Sequence, residues 1–170
     1  MGRMDTCPEC GFTYGLIPRG AIATTLGEFG RQLAASLSGS NAALGTRRRP
    51  EEWSPLEYAC HVRDVLLMQR DRLYVALVEH EPSFKPMYRE ERVAFDRYNE
   101  QPPEVVAAQL LMAAAMLANA FAGLTDEQWN RSLVYGFPES SVRTVEWVGH
   151  HTLHELAHHQ ADIAGILAEG

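Results

Sequence analysis

At 170 residues the chain can bury roughly 70% of the surface its unfolded form exposes. It is too short for two ordinary domains, so one domain over 1–170 is expected without disulfide staples. A composition of 46% hydrophobic and 22% charged residues excludes a disordered chain, and a net charge of −7 argues against nucleic-acid or anionic-membrane partners. No apolar run approaches the ~18 residues of a membrane span. No signal-peptide core follows Met1, and three Cys fit a reducing cytoplasm.

Four long amphipathic helices are predicted, and β signals are nearly absent. Residues 1–17 form an N-terminal extension with Cys7-x-x-Cys10. The first helix spans about Pro18 to Leu37, with Ile22, Leu26, Phe29, Leu33 and Leu37 on one face. The second opens on Ser54-Pro55-Leu56-Glu57, a capping box with Pro in the first turn, and reaches about His80. A long link from Glu81 to Pro103 carries Phe84, Tyr88, Phe95 and Tyr98, expected as packing residues at the far end of helix two. The Ala-rich third helix covers Glu104 to Gly123, where Met112 and Met116 read as core or dimer-interface residues. The fourth begins near Ser141 and continues to the C-terminus. These elements make an all-α four-helix bundle. The long second link is more than a tight turn needs, which favours an up-down-down-up arrangement with helices two and three parallel.

Five of the seven His fall between His150 and His159. At ~100° per residue, Val145, Val148, Leu156, Ile163, Ile166 and Leu167 mark the core-facing arc of helix four. Glu155 and His159 lie in or at the edge of that arc, His151 and Asp162 slightly outside it, His158 further out and His154 towards solvent. His150 and His154 therefore read as solvated, and Glu155 and His159 as the polar pair aimed inward. An unpaired buried carboxylate is costly, and inward Glu and His on facing bundle helices assemble metal sites. His61, two turns into helix two, supplies a third ligand at the same level if helices two and four are antiparallel. Three protein ligands with open positions are the catalytic pattern rather than the closed structural one. The spacing alone leaves open a merely hydrogen-bonded or pH-sensitive His set, and a His154/His158 pair with the same four-residue step.

Two motifs, Trp53-Ser54-Pro55-x-Glu57-x-x-x-His61 and Glu155-x-x-x-His159-x-x-Asp162, resemble those of the DinB superfamily of bacterial metalloenzymes. This superfamily includes the mycothiol-dependent maleylpyruvate isomerase-like and bacillithiol transferase-like proteins. The common form has His first in the second motif; Glu155 is similar to the isomerase branch. The resemblance implies an up-down-down-up bundle, frequent homodimers, and a divalent metal, often zinc or nickel, held by His61, Glu155 and His159. It also implies group transfer or isomerisation with a low-molecular-weight thiol.

An open metal position would lower the pKa of a thiol or of water. His158, His151 and Asp162 are candidates to orient the ligands or shuttle a proton. Arg47-Arg48-Arg49 precedes helix two at the proposed site's end, as a solvated charge run or as the holder of an anionic substrate or thiol carboxylates. Cys7-Pro8-Glu9-Cys10-Gly11 looks like half a zinc knuckle without a second Cys pair. Its options are a zinc shared across a dimer, a redox pair, a site completed by His80 or another His, or no metal. The expected function is that of a cytoplasmic, metal-dependent thiol transferase or isomerase acting on a small molecule. A metal-dependent hydrolase and a non-catalytic metal-binding stress-response bundle are the alternatives.

Overall fold

The computed structural model describes residues 5–38, 40–136 and 139–169. A short N-terminal segment, closed by a Thr6–Thr13 bridge, leads through a 3-10 turn (Arg19–Ala21) into α1 (Ile22–Ser36). The one-turn α2 (Asn41–Leu44) precedes α3 (Pro55–Val78). The next link contains α4 (Arg89–Phe95) and a 3-10 turn (Tyr98–Glu100), and then comes α5 (Pro103–Ala122). The single-turn α6 (Asp126–Trp129) and the strands β1 (Ser132–Tyr135) and β2 (Ser141–Thr144) lead to α7 (Val145–Ala168).

The capping box forms as the sequence predicts. The Ser54 hydroxyl accepts from the Glu57 amide at 3.1 Å, and the Glu57 carboxylate accepts from the Ser54 amide at 2.8 Å. Leu56, Ala59, Val62, Leu66, Leu73 and Ala76 of α3 are buried in the common core with Leu26 and Leu33, Leu110 and Leu117, and Leu156 and Ile163.

Helix α1 packs against α5 and α7, and α3 packs against the same two. Side-chain pairs give the directions. Arg19, before α1, meets Asp126, after α5, so α1 and α5 are antiparallel; it also meets Glu146 at the start of α7, so α1 and α7 are parallel. Arg63 near the start of α3 donates to Gln101 and Gln109 near the start of α5, so these two are parallel. Arg131, just before β1, donates to the carbonyls of Ala76 and Glu79 at the end of α3, and Arg48 meets Glu169 at the other end, so α3 and α7 are antiparallel. The bundle is up-down-down-up.

Parallel α3 and α5 force the link between them to run back along α3. It leaves beside β1, where the Phe84 amide donates to the Val134 carbonyl and the Val134 amide to that of Pro82. It reaches the start of α3, where Asn99 meets the Ser54 hydroxyl at 2.6 Å. Buried Asp64 pins this return, accepting from the Tyr98 hydroxyl at 2.6 Å and from Arg63 at 2.8 Å. The link's aromatics are thus spread along α3 instead of gathered at its far end; Tyr98 is buried and Phe95 is exposed.

The hairpin is a further departure. Ser141 to Thr144 pairs with β1 in the register Ser132↔Thr144 to Tyr135↔Ser141, so α7 starts at Val145 rather than Ser141. The Thr144 hydroxyl accepts from the Trp147 amide at 3.1 Å and caps the helix. Four residues per strand are too few for a period-two signal to stand out. Leu167, assigned to the core arc, is partly exposed, whereas Val145, Val148, Leu156, Ile163 and Ile166 are buried. Helix α5 is long and apolar enough, by length and composition, to cross a bilayer, contrary to the absence of such a run expected above. In the bundle its Val106, Leu110, Ala113, Ala114, Leu117 and Phe121 are buried, and Met112 and Met116 face outward.

Close approach of α1 and α5 depends on Gly30, where an added Cβ would lie 2.6 Å from the Ala114 Cβ. Gly30→Val is expected to lower the free energy of unfolding by about 1–3 kcal/mol through overpacking. Adding Ala114→Gly to that variant should recover part of the loss. Denaturant titration of the single and double variants checks both.

Candidate functional site

Antiparallel packing of α3 and α7 brings the second turn of one against the middle of the other. There the His61 Nε2 lies 3.8 Å from the Glu155 Oε2, and the His159 Nε2 lies 3.7 Å from the same oxygen. The two imidazole rings are 5.0 Å apart centre to centre, and one ligating atom from each of the three residues lies within 4.8 Å of the others. These distances are too long for hydrogen bonds. They approach the edges, about 3.3–3.6 Å, of a coordination shell with bonds of about 2.0–2.2 Å.

The rings are held from behind. The His159 Nδ1 is 2.8 Å from the Asp162 Oδ2 and donates to it, which leaves Nε2 turned towards Glu155. Tyr58 packs on His159 at 5.2 Å, and Trp53 meets His61 edge-on at 5.1 Å. Trp53 itself is fixed by donation to Glu90 on the returning link. The His61 Nδ1 is buried without a hydrogen-bond partner among the described residues. Two imidazole nitrogens and one carboxylate, converging yet unbonded to one another, fit a divalent ion of the zinc or nickel type.

Electrostatics set distinct charge states. Burial alone would raise the Glu155 carboxyl, but His154, His159 and His61, with His151 nearby, outweigh it and hold the group well below the usual carboxylate range. Burial pushes His61 down, keeping it neutral, although Glu155 opposes that shift. Burial would also lower His159, but Asp162 and Glu155 overcome it and lift the ring to about 9. Burial takes His151 down to about 4 against the pull of Glu155.

The three residues adjoin a partly open cavity of about 290 Å³ lined by His61, Glu155 and His151, with Tyr135, Met68 and Gln69 on one side and Lys85 to Glu91 of the link opposite. Tyr88, expected only to pack, lines this cavity, as do the cations Arg72, Lys85 and Arg89. Sequence reasoning passed over these cations because the path of the link was not legible. His151, placed by the sequence just outside the core arc, is buried against Trp147 and Tyr135. Its Nδ1 is 2.8 Å from the Tyr14 hydroxyl of the N-terminal segment.

Other expected residues lie elsewhere. Arg47 forks onto Glu57, with Nε at 2.7 Å from one oxygen and Nη2 at 2.9 Å from the other, closing the capping box from outside. Arg48 faces Glu169 and Arg49 faces Glu52. None of the three lines the cavity. His158 turns away from Glu155 towards Cys7 and Glu9, and Asp162 lies behind His159. His150 and His154 do not form a solvated face: His150 is buried, and His154 is half-buried under Phe12 and Tyr14. The covering N-terminal segment is the cause for His154. Cys60 points away from the site as expected, buried near Gln101, and burial pushes its thiol up to about 12.

A family comparison matches residues 30–163 to the DinB superfamily, and the chain belongs to it. Comparison with the curated proteins gives no match. Among solved structures, YfiT from Bacillus subtilis, described as a probable metal-dependent hydrolase with an unusual four-helix bundle topology, superposes with a TM-score of 0.81 at 19% identity. That match covers 99% of this chain and 92% of YfiT. The mycothiol-dependent maleylpyruvate isomerase superposes with a TM-score of 0.70 at 17% identity, over 86% of this chain and 60% of the isomerase. A mutant of that isomerase gives 0.69 at the same identity and coverage. At these identities the likeness is one of fold.

The opposed imidazole shifts predict a stability maximum for the metal-stripped protein. Between pH 6.5, the ordinary imidazole value, and about 9, the folded state holds the His159 proton more tightly than the unfolded chain, so stability falls as pH rises. Between about 4 and 6.5 the unfolded chain protonates His151 first, so stability falls as pH drops. Thermal melts across pH 4–10 should therefore peak near pH 6.5. Asp162→Asn should flatten the alkaline limb and bring the His159 titration down in an NMR pH series.

Proposed function

We propose that this member of the DinB superfamily is a divalent-metal-dependent enzyme, with His61, Glu155 and His159 holding the ion. The reaction we infer is transfer or isomerisation of a group on a small molecule with a low-molecular-weight thiol. The observation that carries the proposal is the convergence of three inward ligating atoms beside a cavity large enough for a small ligand. A bundle that used metal only for stability would need no such space. When bound, the ion supplies a Lewis-acidic position that favours the thiolate over the thiol, or hydroxide over water.

The chain's own residues divide the remaining work. Glu155, anionic, offsets part of the ion's charge. Neutral His61 offers a lone pair without first losing a proton. His159 must release its proton, and Asp162 then orients the ring. His151 lines the cavity with Nδ1 tied to the Tyr14 hydroxyl and Nε2 3.7 Å from Glu155, so as a neutral ring it is placed to orient an entering ligand. Arg72 and Lys85 line the cavity and suit the carboxylates of a thiol or an anionic substrate, while Arg89 beside them is paired with Glu90 at 3.4 Å and Glu91 adds a negative charge. Arg72 and Lys85 take the role that the sequence suggested for Arg47, Arg48 and Arg49. Hydrolysis by metal-activated water is the alternative, favoured by the near-complete match to YfiT.

His61→Ala and His159→Ala should each lose one ion per chain when purified protein is assayed by elemental analysis. Unchanged content in both would sink the site. For the thiol, the metal-loaded protein should gain stability with mycothiol, bacillithiol or glutathione. Saturation at 100 times Kd adds about 2.7 kcal/mol, visible as a rise in Tm. If no thiol raises Tm while an ester is hydrolysed in a His61-dependent manner, the hydrolytic alternative replaces the thiol reading.

A further inference from the structure

The N-terminal segment and the outer side of α7 together present a second set of ligating groups that the reaction does not use. The backbone around Cys7-Pro8-Glu9-Cys10-Gly11 is a closed turn: the Gly11 amide donates to the Cys7 carbonyl at 2.9 Å and the Cys7 amide to the Phe12 carbonyl at 2.8 Å. Gly11 has a φ of 73°, which a side-chain-bearing residue rarely adopts. This turn lies over one side of α7, so that both thiols face His154 and His158, one helical turn apart. One ligating atom from each of Cys7, Cys10, His154 and His158 lies within 4.8 Å of the other three, and the Cys7 Sγ is 3.9 Å from the His158 Nδ1.

We propose that Cys7, Cys10, His154 and His158 form a second, closed zinc site that clamps the N-terminal segment onto α7. A tetrahedral ion with Zn–S near 2.3 Å and Zn–N near 2.0–2.1 Å has ligand–ligand edges of about 3.3–3.8 Å. The observed set is a slightly expanded version of that figure. A further observation points the same way. Both ring nitrogens of His154 are shielded from solvent and have no hydrogen-bond partner among the described residues. A half-buried imidazole with two unsatisfied nitrogens is uncommon unless one of them binds something. The His158 Nε2 lies 3.3 Å from the Glu9 Oε2, so with Nδ1 towards the thiols its other nitrogen meets a carboxylate, the usual support of a metal-bound histidine. Binding one Zn²⁺ converts two thiols to thiolates and releases two protons, and with two neutral imidazoles the site is uncharged.

The segment needs such a fastening. Its apolar anchors are few, Phe12 and Ile17 being only partly buried, and its single bridge joins Thr6 to Thr13. It nevertheless carries Tyr14, whose hydroxyl bonds the cavity-lining His151. The zinc thereby acts as a positioning device for one wall of the cavity. Four protein ligands leave no open coordination position, so this second ion takes no part in catalysis.

Cobalt(II) titration of the metal-stripped full-length protein tests the site, because only a thiolate ligand gives a near-ultraviolet sulfur-to-cobalt charge-transfer band. The wild type is expected to show that band with the intense visible absorption of tetrahedral cobalt, both abolished by two equivalents of zinc, one for each site. His61→Ala should keep them, although it loses the other ion, so the two sites fail separately. Cys7→Ser combined with Cys10→Ser should remove the band and lower metal content by one ion per chain. His154→Ala and His158→Ala should each weaken zinc binding by more than about tenfold, whereas His158→Cys should retain a tetrahedral spectrum with a stronger charge-transfer band. Absence of the band in the wild type would overturn the proposal, as would metal content indifferent to the Cys pair. So would zinc affinity unaltered in both His→Ala variants, or recovery of Cys7 and Cys10 as a disulfide from protein kept reduced.

Discussion

Glu155 is a carboxylate taken out of water, and much of the architecture answers to that fact. An ionised group buried without a partner costs several kcal/mol. Here imidazoles from α7 itself and from α3 surround it, and they keep it anionic instead of letting burial protonate it. No single helix could do this. His151 and His159 sit one turn either side of Glu155, but the third direction must be filled from a facing helix. Only antiparallel α3 and α7 put His61 at the right level.

That requirement propagates to the cavity. With α7 antiparallel to α3, and α5 parallel to α3, the chain must return along a helix of 24 residues, about 36 Å. An extended chain covers that distance in about 11 residues. The link is longer, and its surplus folds into α4, whose first residues line the cavity with His61 and Glu155, and into a 3-10 turn at the start of α3. The wall that carries Lys85, Tyr88 and Arg89 is therefore a consequence of connectivity. A simple up-down-up-down bundle with tight turns would have left His61 and Glu155 without it.

The features legible in the sequence were those encoded within a few neighbouring residues. The capping box at Ser54 and Glu57, the apolar spacing of the four long helices, and the inward arc of Glu155 and His159 follow from helix periodicity. The long link also announced the topology, since its length is incompatible with a tight turn. What escaped depended on contacts distant in sequence. His154 lies outside the core arc of α7, yet a segment some 140 residues earlier covers it. The three arginines before α3 read as a solvated charge run or as an anion holder, but Arg47 is occupied by Glu57, a partner already committed to the cap. The hairpin was missed because strands of four residues carry little pattern, and the link's path could not be read from its composition.

The crowding of His on α7 also follows from helix geometry. Glu155/His159 and His154/His158 are the same four-residue step displaced by one position, and one position on an α-helix is a rotation of about 100°. That rotation separates the two pairs onto different sides of one helix, where α3 meets the first and the N-terminal segment meets the second. The two registers therefore face different neighbours. Each pair has its own opposing element: His61 in one case, the two thiols in the other. The donor sets differ accordingly, with two imidazoles and a carboxylate beside a cavity on one side and two imidazoles and two cysteines on the other. The His154 Nδ1 lies 3.7 Å from the Glu155 Oε1, so the two ligand sets abut through the helix they share. Any shift of α7 that moved one set would be felt by the other.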